Sequence, residues 1–192
     1  MAVEFELKYN ATADTLKAIA RAMSGAPTAY KMQTTYYDTP SGDLSARHIT
    51  LRRRMENDSS VCTLKTPADL GREEYELSCN TIEEAIPELC KLSGIKELPQ
   101  LLENGVVEVC GARFIRQAWQ ITLPAATVEL ALDQGHLLGS GKELPLCEVE
   151  VELKTGDPKA ATAYAMQLAI AFGLQPEKRS KFARAIALAK GE

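Results

Sequence analysis

Alternation of apolar and charged residues dominates the chain. In an extended strand successive side chains point to opposite faces, so Phe5 and Leu7 lie on one side of the opening segment and Glu4, Glu6 and Lys8 on the other. The same parity recurs downstream. Arg52 and Arg54 fall together with Arg53 opposite, and Lys65 shares its face with Thr63, away from Leu64. Arg72, Glu74 and Glu76 oppose Tyr75 and Leu77, while Arg116 opposes Ile115, Trp119 and Ile121. Glu129 and Asp133 oppose Val128, Leu130 and Leu132, and Glu148, Glu150 and Glu152 oppose Val149, Val151 and Leu153.

Helical spacing separates these segments. Leu16, Ile19, Ala20 and Met23 predict a helix over 12–23. Strands follow over 30–38, 48–55, 61–66 and 72–78, joined by short turns that imply an antiparallel meander. Thr81-x-x-Glu84 matches a capping box and opens a helix whose buried stripe is Ile82, Ala85, Ile86 and Leu89. A loop with Leu98, Leu101 and Leu102 leads to strands over 113–123, 127–133 and 146–154, the last two separated by a turn around Gly139 and Gly141. Asp157-Pro158 reads as an N-cap and first helical position, giving a helix up to Gly173, and a last helix runs over 177–190. No repeat or linker divides the chain, so a single domain over 1–192 is expected.

Two architectures satisfy this pattern. An open sheet with helices on its apolar face would leave the charges in water. However, Arg and Glu recur at i, i+2 and i+4 with few short polar residues among them, and about eight antiparallel strands can close and so remove exposed edges. The expected fold is therefore α+β: a closed antiparallel eight-stranded β-barrel with a charged interior and helices packed on its apolar outside. Trp119 belongs to the exterior core by parity, and Tyr36 and Tyr37 alternate, so at most one of them faces inward.

Composition narrows the function. With 45% hydrophobic and 25% charged residues the 192-residue chain is a globular protein, and its net charge of −4 gives no footprint for general nucleic-acid binding. No apolar run is long enough for a membrane span and no signal sequence opens the chain, so a cytoplasmic protein is expected. Cys62, Cys79, Cys90, Cys110 and Cys147 are scattered without a C-x-x-C pair, and His48 and His136 have no partner arrangement for nucleophilic catalysis. The cysteines are read as buried thiols. The chemistry lies in the inward charges instead. Confined cations at Lys8, Arg52, Arg54, Lys65, Arg72 and Arg116 call for a polyanion, and the arginine fork suits phosphate. The accompanying carboxylates call for hard divalent ions, Mg²⁺ or Mn²⁺, which also bridge phosphate oxygens. The residues thus predict a metal-dependent site for a compact phosphate chain.

In these residues the chain resembles the triphosphate tunnel metalloenzyme superfamily, also called the CYTH domain. Glu4, Glu6 and Lys8 match its Glu-x-Glu-x-Lys signature. The likeness continues through Tyr36-Tyr37-Asp38-Thr39, Leu51-Arg52-Arg53-Arg54, Leu64-Lys65, Arg72/Glu74/Glu76, Arg116-Gln117-Ala118-Trp119, Glu129 to Asp133, Cys147 to Glu152, and Ser180-Lys181-Phe182-Ala183-Arg184. It is similar in particular to bacterial inorganic triphosphatases, which split tripolyphosphate into pyrophosphate and phosphate. Two departures stand out: Phe114 occupies a position where many members carry a second basic residue, and Ala185 replaces a frequent glycine.

The resemblance implies site roles. Glu4, Glu6, Glu150 and Glu152 lead the expected metal set, with Glu148 and Asp133 as further candidates because three glutamates in phase leave its end open. Lys8, Arg52, Arg54, Lys65, Arg72 and Arg116 would hold phosphate, with Glu4, Glu6, Lys8, Lys65 and Arg116 acting on the reacting group. Lys181 and Arg184 either close one mouth of the tunnel or form an exposed helix face. Glu74, Glu76 and Glu129 are expected to support neighbouring arginines. Other enzymes on the same fold remain open: a class IV-type adenylate cyclase, a nucleoside or RNA triphosphatase, or a thiamine triphosphatase. The sequence offers no inward aromatic cluster for the organic end of such substrates. A non-catalytic polyphosphate-binding module would be favoured by a missing metal carboxylate, and all are present.

Overall fold

The computed structural model describes residues 5–68 and 72–192. Glu4 therefore lies outside the described residues. Along the chain run β1 (Glu6–Asn10), α1 (Ala13–Ala22), β2 (Thr28–Asp38), α2 (Asp43–Ala46), β3 (Thr50–Glu56), β4 (Ser59–Pro67) and β5 (Arg72–Ser78). They are followed by α3 (Ile82–Ser93), α4 (Leu98–Leu101), β6 (Val107–Leu123), β7 (Ala126–Gly139), β8 (Lys142–Gly156), α5 (Pro158–Phe172), β9 (Gln175–Pro176) and α6 (Lys181–Lys190).

The strands form one antiparallel nine-stranded sheet in the order β5-β4-β3-β2-β6-β7-β8-β1-β9. Two meanders, β2–β5 and β6–β8, join through β2 and β6, and β1 adds to β8. This sheet does not close. The expected closed eight-stranded barrel is corrected to an α+β fold on an open sheet whose edges are β5 and β9. The reason lies at those edges. β1 already pairs with β8 on one side and β9 on the other, while β9 is two residues long and ends in Pro176, which has no N–H to donate to a further strand.

Local chemistry accounts for the elements. The hydroxyls of Thr12, Thr81 and Ser180 and the carboxylate of Asp157 accept N–H bonds at the starts of α1, α3, α6 and α5. At the β7–β8 hairpin Ser140 (φ 48°) and Gly141 (φ 73°) are both left-handed, as a two-residue primed turn requires. The strands are longer than their pattern suggested, since β6 starts at Val107 and β7 continues to Gly139.

One sheet face carries two apolar cores. Leu130, Val149, Val151 and Trp119 pack under α1 and α5 with Ile19, Ala161 and Leu168. Leu51, Cys62 and Leu64 pack under α3 and α4 with Ile82, Leu89 and Leu98. Trp119 sits with this outer core and its Nε1 donates to the Gly25 carbonyl at 3.2 Å. Truncating a fully buried leucine such as Leu130 costs about 2–5 kcal/mol.

The last helix is the exception to the expectation that helices cover only the outside. α6 lies on the charged face, where Ala185 packs with Met32, Ala112, Phe114, Leu137 and Leu146. It approaches so closely at Gly139 that a Cβ there would sit 2.6 Å from the Ala189 nitrogen. Ser140 Oγ donates to the Ala189 carbonyl at 2.8 Å and pins its far end.

Candidate active site

The charged face lines a cavity of about 740 Å³ bounded by β1–β8 and by the segment entering α6. The period of two delivers Glu6 and Lys8 from β1, Arg52 and Arg54 from β3, Lys65 from β4 and Arg72, Glu74 and Glu76 from β5. Arg116, Glu129, Glu150 and Glu152 enter from β6–β8 and Lys181 from α6. Ten basic and seven acidic side chains line it in a chain of net charge −4.

Its deepest part is an ion cluster. Asp133 and Glu148 have no exposed surface and Glu150 retains 8%. Arg116 grips Asp133 through Nε and a terminal nitrogen at 2.8 and 2.7 Å, and the same terminal nitrogen also bonds Glu150. Lys181 Nζ lies 2.8 Å from Asp133 Oδ2 and 2.7 Å from Glu150 Oε1 and also bonds Glu148. Arg184 bonds the other oxygen of Glu148 and approaches Glu177 at 4.0 Å. Asp133, Glu148 and Arg184 thus stand behind the lining, tied to it by Arg116 and Lys181. Both Lys181 and Arg184 are inward, so the alternative of an exposed helix face is excluded.

Protonation follows from this packing. Burial pulls the Lys181 ammonium down, but Asp133, Glu150 and Glu148 outweigh it and raise its pKa. Arg116 is likewise held well above its ordinary value: burial opposes the charge, and Glu150 and Asp133 restore it. Burial pushes Glu148 up to about 7 against the pull of Lys181, with Glu150 adding to the rise. Glu150 is also buried, yet Lys181 and Arg116 hold it well below the usual carboxylate range.

A second acidic row runs across adjacent strands. Glu6 on β1 is paired in register with Glu152 on β8, which is paired with Glu129 on β7. Carboxylates directly opposite one another repel, and lysines relieve the row: Lys8 lies 2.9 Å from Glu6, and Lys154 lies 2.8 Å from Glu152 and 3.9 Å from Glu129.

The opposite wall is more open. Arg52 and Lys65 each lie 3.2 Å from Glu74 Oε1, and Arg54 lies 2.5 Å from Glu56. Burial pushes Glu76 up, but the Thr63 hydroxyl, donating at 2.8 Å, together with Arg52 and Arg54, holds its pKa below the ordinary value. Arg72 is turned to the His48 carbonyl at 2.5 Å and Thr50 Oγ1 at 3.3 Å. The buried Nε of Arg54 has no acceptor.

Several lining residues escaped the sequence reading. Lys154 and Glu56 continue the parity of Glu152 and Arg54 and were findable from it. Lys178 and Arg179 fall in the connection between β9 and α6, where no periodicity marks a face. The expectation of no inward aromatic cluster is also corrected: Tyr30, Tyr36, Phe114 and Phe182 line the cavity, with the Tyr36 and Phe182 rings 5.1 Å apart. Phe114 presents its ring to Lys181 Nζ at 5.3 Å and to the Arg116 guanidinium at 5.9 Å, within cation–π reach.

Carboxylate oxygens alone make up the cluster, and one from each of Asp133, Glu148 and Glu150 lies within 4.8 Å of the others. That donor set fits a hard divalent ion such as Mg²⁺ or Mn²⁺. Among the described residues no helix is long and apolar enough to cross a membrane.

Known proteins resemble this chain in sequence and in fold. The chain is 32% identical over 128 residues to an inorganic triphosphatase of Haemophilus influenzae, an alignment that takes in 64% of this chain and 36% of that protein. The chain therefore spans little more than a third of that relative's length. Its fold matches a putative adenylyl cyclase from Hippeastrum with dominant triphosphatase activity (TM-score 0.68, 20% identity, 98% of this chain and 96% of that one). It also matches a putative adenylate cyclase from Bacillus halodurans (TM-score 0.62, 16% identity, 93% and 94%). A family model for the CYTH domain matches residues 2–186, nearly the whole chain, and the chain belongs to the CYTH domain family.

Proposed function

We propose that this protein is a metal-dependent inorganic triphosphatase, a single cytoplasmic domain over 1–192 that hydrolyses tripolyphosphate to pyrophosphate and phosphate. The observation that carries this reading is the excess of cations around a cavity in an acidic protein. So many confined positive charges are balanced by a compact polyanion. The Arg54 Nε, a buried donor without an acceptor, is suited to a phosphate oxygen. The shared stretch with the Haemophilus influenzae inorganic triphosphatase supports the same substrate, and the five free thiols accord with a reducing compartment.

In this reading Arg52, Arg54, Lys65 and Arg72 bind the distal phosphates, the first three exchanging their pairing with Glu74, Glu76 and Glu56 for phosphate oxygens and Arg72 turning from the His48 carbonyl. Lys8 and Arg116 meet the reacting group, where charge develops as water attacks the terminal phosphorus and the bond to pyrophosphate breaks. Asp133, Glu148 and Glu150 would hold the divalent ion, Glu6 and Glu152 complete the acidic side, and Glu4 is a further ligand on the strength of the Glu-x-Glu-x-Lys signature alone. A bound ion supplies neutralisation of phosphate oxygens and activation of the attacking water.

A second reading follows from the aromatic lining. Tyr30, Tyr36, Phe114 and Phe182 offer an apolar surface for the organic end of a nucleoside or thiamine triphosphate. Phosphate release from tripolyphosphate, ATP and thiamine triphosphate, with Mg²⁺ or Mn²⁺ and with chelator, separates the two. Fast turnover of tripolyphosphate abolished by chelator is expected. Cyclic AMP from ATP with inert tripolyphosphate would overturn the first reading.

A further inference from the structure

The Lys181 ammonium occupies the point where three acidic side chains converge. It lies 2.8 Å from Asp133 Oδ2 and 2.7 Å from Glu150 Oε1 and bonds Glu148 Oε1 as well. An ammonium has three donors and no acceptor, so each N–H direction finds one carboxylate. The same three residues each offer a carboxylate oxygen within 4.8 Å of the others, a set able to hold a divalent ion. Lysine thus stands in for a metal at the centre of a metal-type donor set.

Charge balance makes the coincidence consequential. Arg116, on the cavity lining, holds both Asp133 oxygens, and Arg184, behind the lining, holds Glu148 Oε2, while Lys181 touches all three carboxylates. Counted as ionised, Arg116, Lys181 and Arg184 offset Asp133, Glu148 and Glu150, so these six groups carry no formal net charge. A divalent ion entering it would leave a surplus of two positive charges in a largely buried site, where such an excess is costly. One cation must leave, and Lys181 is the one on the ion's position. It is also the one with somewhere to go. Lys181 is the first residue of α6, its side chain lines the cavity, and its flexible stem can swing the ammonium there without backbone movement. Arg184 is anchored behind the lining, and Arg116 is held by two bonds to Asp133 and a third to Glu150.

We propose that Lys181 is a tethered counter-ion of the metal site: its ammonium and a divalent cation exclude one another among Asp133, Glu148 and Glu150, and entry of the ion hands the ammonium to the bound phosphate chain. The proposal rests on the metal-dependent reading above and deepens it. Metal and phosphate chain then bind each other's form of the site more tightly, by the same factor in both directions.

The test uses direct binding. MnCl₂ is titrated into the wild type and Lys181→Met by calorimetry without substrate, and the variant is expected to bind at least about tenfold more tightly. Lys181→Met combined with Glu150→Gln should lose that gain. A second measurement needs no variant: acetic anhydride labelling of the wild type, read by peptide mass spectrometry, should modify Lys181 slowly without metal and faster with Mg²⁺, while Lys17 stays constant. Equal or weaker Mn²⁺ binding by a folded Lys181→Met overturns the proposal and leaves the metal-dependent reading standing. If the variant does not fold, Lys181 labelling that fails to rise with Mg²⁺ overturns it. Absence of Mn²⁺ binding in both proteins, with hydrolysis insensitive to chelator, overturns both.

Discussion

On the β7–β8 side of the cavity the Asp133 and Glu148 side chains are wholly buried, whereas on the β3–β5 side Lys65 and Arg52 keep 12–13% of their side-chain surface and Glu76 keeps 43%. Both walls pair cations with carboxylates, yet the pairs differ in kind. In the buried cluster Asp133 and Glu148 are fully desolvated, so removing a partner strands an uncompensated charge. Across the cavity the carboxylates Glu74, Glu56 and Glu76 keep 18–43% of their side-chain surface, so water weakens each pair. Apart from the Lys181 side chain, the first wall is a fixed frame. The second can release its carboxylates for phosphate at little cost.

That contrast is easiest to break at Arg184. Arg184→Met should cost about 3–5 kcal/mol in urea denaturation because buried Glu148 loses a partner. A loss under about 1 kcal/mol would put the two walls on an equal footing. Lys65→Met should instead change stability by less than about 1 kcal/mol. Paired kinetics should show it weakening tripolyphosphate binding about tenfold to a hundredfold, as expected for loss of a charged hydrogen bond of about 1.5–3 kcal/mol. Raising NaCl from about 0.05 to about 0.5 M should weaken that binding severalfold through the open wall. The denaturation midpoint, set by buried pairs, should move little. The smallest effect concerns Glu76. Its folded pKa is depressed from the ordinary 4.5, so its stabilisation is present above 4.5 and lost as pH falls through the folded value. Glu76→Gln should flatten the loss of stability in that acid range, and an unchanged acid limb in thermal melts would contradict the pairing.

The frame was more legible in the sequence than its closure. Strict alternation at Arg52/Arg54 and Glu148/Glu150/Glu152 leaves one assignment of faces, because a slip by one residue exposes every apolar neighbour. The same rule placed Trp119 outside and Arg116 inside. Closure depends on edges, and β9 is too short to leave a pattern. The seat of α6 was hidden differently. Met32, Phe114, Leu137 and Leu146 share the inward parity, but Leu137 belongs to a part of β7 that the alternation up to Asp133 did not reach. Lys181 meets its carboxylates across 31–48 residues of chain, a tertiary contact that spacing does not encode.

An open sheet also bears on solubility. Unpaired strand edges recruit other chains, and natural proteins blunt them with charge, brevity and proline. Here one edge is β9, two residues with Pro176, and the other is β5, whose Arg72, Glu73, Glu74 and Glu76 present charge along most of its length. The acidic side chains that pair with the basic wall thus also discourage stacking of one molecule's sheet onto the next. Replacing Glu73 and Glu76 by threonine would give a strand with high β-propensity and little charge, and with it a site for aggregation.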